Sequence, residues 1–430
     1  MIKHINPINA LRGTFTVPGD KSISHRAVML GALAEGETHI TGFLTGEDCR
    51  CTIACFRQMG VGMTESGTAV TVQGVGLRGL RPPTDVLDVG NSGTTVRLMA
   101  GILAWQNFTA VVTGDASIQK RPMNRVIAPL SQMGAVIEGR AEAGDIYAPL
   151  TITGRPLRGI QYATPVASAQ VKSAILLASL QAEGETAVTE PAPSRDHTEI
   201  MLNHFGGNIT RNEAQILSRP IKKLTARPVA VPGDISSAAF LIVAAAILKD
   251  SDVTIKEVNV NPTRTGVIDV LRQMGADIAI GNVREQGGEA VADVRVRHAK
   301  LRGTTIAGAI IPRLIDEIPV LAVAAAFAEG TTVVADAAEL MVKESNRIAT
   351  MCAELAKMGV AATPTADGMH IAGGKPPHGA AVNSYGDHRV AMSLCVAGLC
   401  AEYGETVIHN AACVDVSFPG FFELIRACSY

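Results

Sequence analysis

The sequence predicts an α/β protein of two domains built from six repeated units, three to each domain, and two observations carry that prediction. Six segments share one plan, a Gly/Pro/Ser/Asp turn that runs into an Ala-, Leu- and Val-rich helix and then into a β-branched strand. After each comes a more polar helical stretch, five of the six ending in Met-Gly or Gly-Gly. The units recur at roughly 65–80 residues, too long for a short solenoid repeat, so compact packing is expected.

The first unit opens VPGDKSISHRAVMLGALAEG and the fourth opens AVPGDISSAAFLIVAAAILKD, the same turn with the charges after it removed. The second unit begins LDVGNSGTTVRLMAGILAW, the third ATPVASAQVKSAILLASL, the fifth AIIPRLIDEIPVLAVAAAF and the sixth VNSYGDHRVAMSLCVAGL. The turn residues supply helix caps. These first helices are apolar on nearly every face, so they belong inside a ring of sheets. The second helices are read in CFRQMGV, PLSQMGA, LNHFGG, VLRQMGA, ELAKMGV and FFELIRAC, where the glycine suits a left-handed residue just past the helix end.

Composition limits what such a fold can do. The 430 residues are 47% hydrophobic and 18% charged, enough for a large core and, by length, two domains. A net charge of -2 gives no general attraction to nucleic acid or to an anionic membrane, so any anion specificity must be local. The N-terminal MIKHINPINALRG has no apolar run for a secretory signal, and IPVLAVAAAFAEG is too short to span a bilayer, which makes a reducing cytoplasm the expected location. Of eight cysteines only Cys49, Cys51 and Cys55 lie close together, without the spacing or histidines of a zinc site, so they read as small buried thiols and no metal is expected.

Helix N-termini attract phosphate and carboxylate through unpaired N–H groups and a partial positive charge. Differences among the six copies therefore separate scaffold from chemistry. The fourth copy has only small or polar residues where the first has Lys21 and Arg26, and reads as bare scaffold. In the first, Ser22 and Arg26 share a helix face with Lys21 at its cap end, and buried cations require anions. His25 reads as a packing or capping histidine. GNSGTTVR is a Gly- and hydroxyl-rich turn before Arg97 that lets backbone amides approach an anion, but it is neither a Walker A loop nor a dinucleotide fingerprint. Arg121 precedes Pro122 and is expected to be extended.

Ser168 and Gln170 place a hydroxyl and an amide at a helix start, where capping alone also accounts for the serine. Asp316 and Glu317 stand at the mouth of an apolar helix, either as helix-dipole partners or as a general base. KESNR is expected to open a helix with Lys343 and Arg347 four apart on one face, and GDHR puts Arg389 at another helix start. The cations Lys21, Arg26, Arg121, Lys343, Arg347 and Arg389 suit substrates with at least two anionic groups.

Taken in order, PGDKSISHR, GNSGTTVR, KRPM, SAQVKS, SRDHTE, DEIPVLAVAAA, KESNR and YGDHRVAM closely resemble the 5-enolpyruvylshikimate-3-phosphate synthase family of enolpyruvyl transferases over essentially the whole chain. The resemblance implies two inside-out α/β domains, residues 1–18 with 232–430 and residues 19–231, with the active site in the cleft between them. It implies transfer of the enolpyruvyl group of phosphoenolpyruvate to the 5-hydroxyl of shikimate 3-phosphate with release of phosphate. This is a step of the shikimate pathway toward chorismate and the aromatic amino acids, run by a cytoplasmic monomer with no cofactor, nucleic acid or membrane. By the same matching, Lys21, Ser22, Arg26, Ser168, Gln170, Asp316 and Lys343 are expected to hold shikimate 3-phosphate. Lys21, Gly93, Arg121, Gln170, Arg347 and Arg389 are expected to hold phosphoenolpyruvate. Proton transfer falls to Lys21, Asp316 and Glu344, with the division among them open.

Departures from the family pattern are few. Asn346 stands where members often carry aspartate, so an ion pair with Arg347 is missing or rebuilt. Leu98, SRDHTE and SFPGF follow the branch that lacks a proline and a lysine at the corresponding places. Gly93 leaves room that an alanine would deny to a larger analogue such as glyphosate. The sister family acting on UDP-N-acetylglucosamine usually has a reactive cysteine five residues before the Arg-Pro of its mobile loop; here that residue is Ala116, and no cysteine lies between Cys55 and Cys352. A non-catalytic anion-binding protein would gain nothing from Asp316 and Glu344 beside its ligand.

Overall fold

The computed structural model describes residues 1–212 and 215–428. Six buried helices form its two cores: α1 (Lys21–Leu33), α3 (Gly93–Leu103), α5 (Ala169–Ser179), α7 (Ile235–Ile247), α9 (Ile318–Phe327) and α11 (His388–Leu399). They alternate with α2 (Glu47–Gln58), α4 (Asn124–Gln132), α6 (His197–His204), α8 (Gly266–Gln273), α10 (Arg347–Lys357) and α12 (Phe421–Cys428). Every residue of α7 is buried, the outcome expected of a helix with no polar stripe. By contrast α8 buries Val267, Ile268, Val270 and Leu271 and exposes Asp269, Arg272 and Gln273. The end of α2 shows why a glycine follows these outer helices. Gly60, at φ 90°, lets its own N–H reach the carbonyl of Arg57 at 3.0 Å and that of Val61 reach Phe56 at 3.1 Å.

The strands form six sheets among the described residues, and most repeat one order. Leu87–Asp88 runs parallel to Thr109–Thr113, with α3 as the crossover, and Thr109–Thr113 is antiparallel to Asp145–Thr153, which pairs antiparallel with Val136–Glu142. The same order joins Thr305–Ile306, Thr331–Val334, Met369–Ala372 and Ala361–Pro364. In the sixth sheet Ile2–Ile5 pairs antiparallel with Thr406–His409, which runs parallel to Ala381–Asn383.

The chain divides into two compact units, one of Met1–Pro18, Pro232–Glu285 and Ala290–Tyr430, the other of Gly19–Val231 with Gln286–Glu289. Of the passages of the chain between them, two bound Gln286–Glu289 and two fall inside the repeated turn, at Pro18-Gly19 and Val231-Pro232. Strands are exchanged there. Arg12–Phe15, which leads into α1, pairs with Asp252–Asn259 after α7, whereas Val229–Ala230, which leads into α7, pairs with Ala34–Thr41 after α1. The turn has no space for a side chain, since a Cβ on Gly19 would lie 1.8 Å from the carbonyl oxygen of Gly42. In the first unit α7, α9 and α11 pack on one another, in the second α1, α3 and α5 do, and sheets cover the outside of each. This is the inside-out α/β arrangement expected from the repeats. No helix among the described residues is long and apolar enough to cross a membrane.

Candidate active site

Within the unit of residues 19–231, the polar side chains gather at the N-termini of α1, α3 and α5. Asp20 caps α1 by accepting from the Ile23 N–H at 2.9 Å, which leaves Lys21 as the first helical residue. Its ammonium pairs at 3.0 Å with Asp48, in the first turn of α2. Arg26 lies one turn deeper and is buried. It donates to the Thr198 hydroxyl at 2.6 Å, the Ser173 hydroxyl at 2.9 Å and the Ser22 carbonyl at 2.9 Å, tying α1 to α5 and α6. Among the described residues no carboxylate hydrogen-bonds to it. Burial without a bonded counter-ion pushes its pKa down to about 10.

His25 packs as expected: its Nδ1 lies 2.7 Å from the Thr52 hydroxyl, and burial, with Lys21 and Arg26 adding repulsion, holds the imidazole well below its usual range and therefore neutral. Gly93 begins α3 under the cap of Ser92. A Cβ at Gly93 would meet the guanidinium of Arg97 at 2.7 Å and that of Arg121 at 3.0 Å, so the loop and KRPM do come together over one glycine. Arg121 is extended, as Pro122 requires (φ -89°, ψ 127°), and donates to Asn91 at 3.1 Å and Ser117 at 2.9 Å. Ser168 caps α5, and Gln170 donates to Thr94 of α3 at 3.4 Å.

Within the unit of residues 1–18 and 232–430 the centre is Arg347, 1% exposed and the first residue of α10. Asp387 takes its guanidinium in a fork at 2.8 and 3.3 Å, Glu344 accepts at 2.6 Å and Asp316 at 3.3 Å. Burial opposes the charge, but the three carboxylates outweigh it and raise the arginine pKa above its ordinary value. Asp387 also caps α11, accepting from the Arg389 N–H at 2.9 Å. Arg389 donates to the Asp316 carbonyl at 3.1 Å and lies 3.6 Å from a Glu317 carboxylate oxygen.

Several expectations need correction. Lys343 and Arg347 do not share a helix face: Lys343 ends a short 3-10 helix, Ala338–Val342, and α10 starts only at Arg347, because Asn346 takes the cap position and accepts from the Ala349 N–H at 3.1 Å. Lys343 instead lies 3.8 Å from Glu339. The ion pairs of Arg347 are rebuilt through Asp387, Glu344 and Asp316, and Asn346 is a cap. Glu317 occupies the cap position of α9 without capping it; its carboxylate accepts from the Ser236 hydroxyl. The fourth copy is therefore not bare scaffold. Asp48, Thr198, Ser173 and Asp387 were passed over in the sequence, although Asp387 stands before its helix as Asp20 and Asp234 do. No cluster of three or more His, Cys, Asp or Glu side chains suited to a metal forms among the described residues.

The family model for EPSP synthase (3-phosphoshikimate 1-carboxyvinyltransferase) matches residues 5–425. A 3-phosphoshikimate 1-carboxyvinyltransferase of Desulforamulus reducens is 55% identical over 98% of both chains, and one of Brevibacillus brevis is 57% identical over 96% of this chain and 97% of its own. The solved EPSP synthase of Acinetobacter baumannii superposes with a TM-score of 0.88 at 49% identity over 100% of this chain and 98% of its own. The enolpyruvyl transferase NikO of Streptomyces tendae, 18% identical with a TM-score of 0.80 over 99% and 97%, shares the fold. Matched along nearly its whole length, the chain belongs to the EPSP synthase (3-phosphoshikimate 1-carboxyvinyltransferase) family.

Proposed function

We propose that this protein transfers the enolpyruvyl group of phosphoenolpyruvate to the 5-hydroxyl of shikimate 3-phosphate and releases phosphate. The observation that carries the reading is the full-length identity of 55–57% to 3-phosphoshikimate 1-carboxyvinyltransferases. It acts in the shikimate pathway, as a cytoplasmic monomer on two small-molecule substrates.

The residues divide by charge. Lys21, Ser22, Arg26, Ser168, Gln170 and Lys343 hold shikimate 3-phosphate; the hydroxyl-lined guanidinium of Arg26 supports this, since a bound phosphate supplies the anion it lacks. Lys21, Gly93, Arg121, Gln170, Arg347 and Arg389 hold phosphoenolpyruvate, whose carboxylate and phosphate need separate cationic forks. Asp316, also in contact with shikimate 3-phosphate, takes the proton of the 5-hydroxyl as its oxygen bonds to C2 of phosphoenolpyruvate. The methylene carbon gains a proton from Lys21 or Glu344, giving a tetrahedral intermediate. Loss of a methyl proton and of phosphate from that intermediate leaves the enol ether.

Phosphate release from phosphoenolpyruvate tests the reaction. It is expected with shikimate 3-phosphate and absent with UDP-N-acetylglucosamine; release only with the sugar nucleotide, or none with either despite tight binding, would refute it. For the proton roles, exchange of the methylene hydrogens with solvent at the parent rate in Glu344→Gln would remove Glu344 from the mechanism.

A further inference from the structure

We infer that Glu317 is a positioning residue that fixes the guanidinium of Arg389, and that Ser236 and Arg264 hold Glu317 in turn. This rests on the reading of Arg389 as part of the phosphoenolpyruvate grip. The starting observation is a buried carboxylate that ignores the helix beside it. Glu317 is 1% exposed at the cap position of α9, yet its side chain caps nothing there. One carboxylate oxygen accepts from the Ser236 hydroxyl and lies 3.6 Å from Arg389 Nη1.

Ser236 is in the first turn of α7, in the copy whose helix start carries no cation. Its hydroxyl oxygen accepts from Arg264 Nη2 at 2.7 Å, which directs the hydroxyl proton toward Glu317. The same Arg264 nitrogen reaches Asp234, the cap of α7, at 3.2 Å, and Arg264 is itself 2% exposed. Charges alternate along this buried run, from Asp234 through Arg264 and Ser236 to Glu317 and Arg389. A free arginine side chain loses about 2 kcal/mol of rotamer freedom when it is held still. A guanidinium already fixed by the Asp316 carbonyl at 3.1 Å and by Glu317 has lost that freedom before substrate arrives, so binding need not supply it. The fourth copy carries no cation for the ligand because its polar residues serve a cation of the sixth.

The test is steady-state kinetics with each substrate varied in turn on Glu317→Leu, Glu317→Gln, Ser236→Ala, Arg389→Ala and the double variant Glu317→Leu with Arg389→Ala. Expected are a KM for phosphoenolpyruvate raised tenfold or more in Glu317→Leu and less in Glu317→Gln, which keeps an acceptor for Ser236. Ser236→Ala should lie between the parent and Glu317→Leu. The KM for shikimate 3-phosphate should stay within twofold, and Glu317→Leu should add nothing once Arg389 is alanine. A purely structural role would move both KM values or neither. A raised KM in Arg389→Ala with an unchanged one in Glu317→Leu overturns the inference alone; an unchanged KM in Arg389→Ala overturns the underlying reading and the inference with it. Should Glu317→Leu not fold, Glu317→Gln and Ser236→Ala carry the same comparison.

Discussion

Replacing Arg26 with methionine should leave the ligand-free protein as stable as the parent or more so, while abolishing its response to shikimate 3-phosphate. The guanidinium remains charged at neutral pH, yet burial lowers its pKa to about 10, a difference from the ordinary value that amounts to about 3 kcal/mol against the charged form. The sign follows from the basic group: at pH 7 it is charged in both folded and unfolded chains, so the depressed folded value weakens the fold, and the penalty fades only above about pH 10. Methionine fills similar space without charge. The hydroxyls that Arg26 leaves behind, Thr198 and Ser173, lie 2.6 Å apart and can satisfy each other, so little hydrogen bonding is stranded. Urea unfolding without ligand should therefore show between no change and a gain of about 3 kcal/mol. With shikimate 3-phosphate at a hundred times its Kd the parent should gain about 2.7 kcal/mol and the variant none at the same concentration. A ligand-free loss of about 2 kcal/mol or more, with the response to shikimate 3-phosphate intact, would refute the account of Arg26 as a cation waiting for an anion.

Three further outcomes follow from particular contacts. Asp387→Ala should lose about 1.5–3 kcal/mol at neutral pH by removing the fork from the buried Arg347, which keeps Glu344 and Asp316, and Asp387→Asn, which keeps the α11 cap, about 1 kcal/mol less. Burial alone would raise the Asp387 pKa, but Arg347 lowers it overall, so this stability is present above the ordinary carboxylate range and lost as pH falls below it; urea midpoints of parent and variants should converge in acid. Gly93→Ala should press on Arg97 and Arg121 and raise the KM for phosphoenolpyruvate, read from steady-state rates. Burial pushes the thiols of Cys51 and Cys352 up to about 11 and those of Cys55 and Cys400 up to about 12, so mass spectrometry after thiol labelling at neutral pH should find all four unmodified until urea is added.

The repeat was legible because both of its signals are local. An all-apolar helix such as α9 has nowhere to go but a core, and a helix followed by Met-Gly, as at Met59-Gly60, needs a left-handed residue to close its last turn. What local reading did not disclose, although the resemblance set domain boundaries there, is the strand exchange at the repeated VPGD. Read along the chain, VPGD is one more turn before a helix. Only strand pairing reveals that Arg12–Phe15 and Val229–Ala230 have exchanged partners through it, since Asp252 pairs with Arg12 and Val229 with Ile40, far apart along the chain.

The same distinction governs the site. Lys21, Arg26 and Arg389 stood out because a cation at the start of an apolar helix is locally anomalous, Arg347 through its spacing from Lys343, and Arg121 only through the resemblance. What each cation is for depends on its neighbours, and several of those come from other segments of the chain. Arg26 meets hydroxyls from α5 and α6, whereas Arg347 meets carboxylates from three separate segments. Two buried arginines that look alike in sequence therefore differ in kind, one short of an anion and one already holding three. Reading charges as armed or unarmed copy by copy also missed Ser236 and Arg264, because a copy with no cation for the ligand can still supply the groups that aim another copy's cation. A repeat protein distributes one site over several copies, so a copy whose helix start carries no cation can still serve the chemistry through the groups it lends to another.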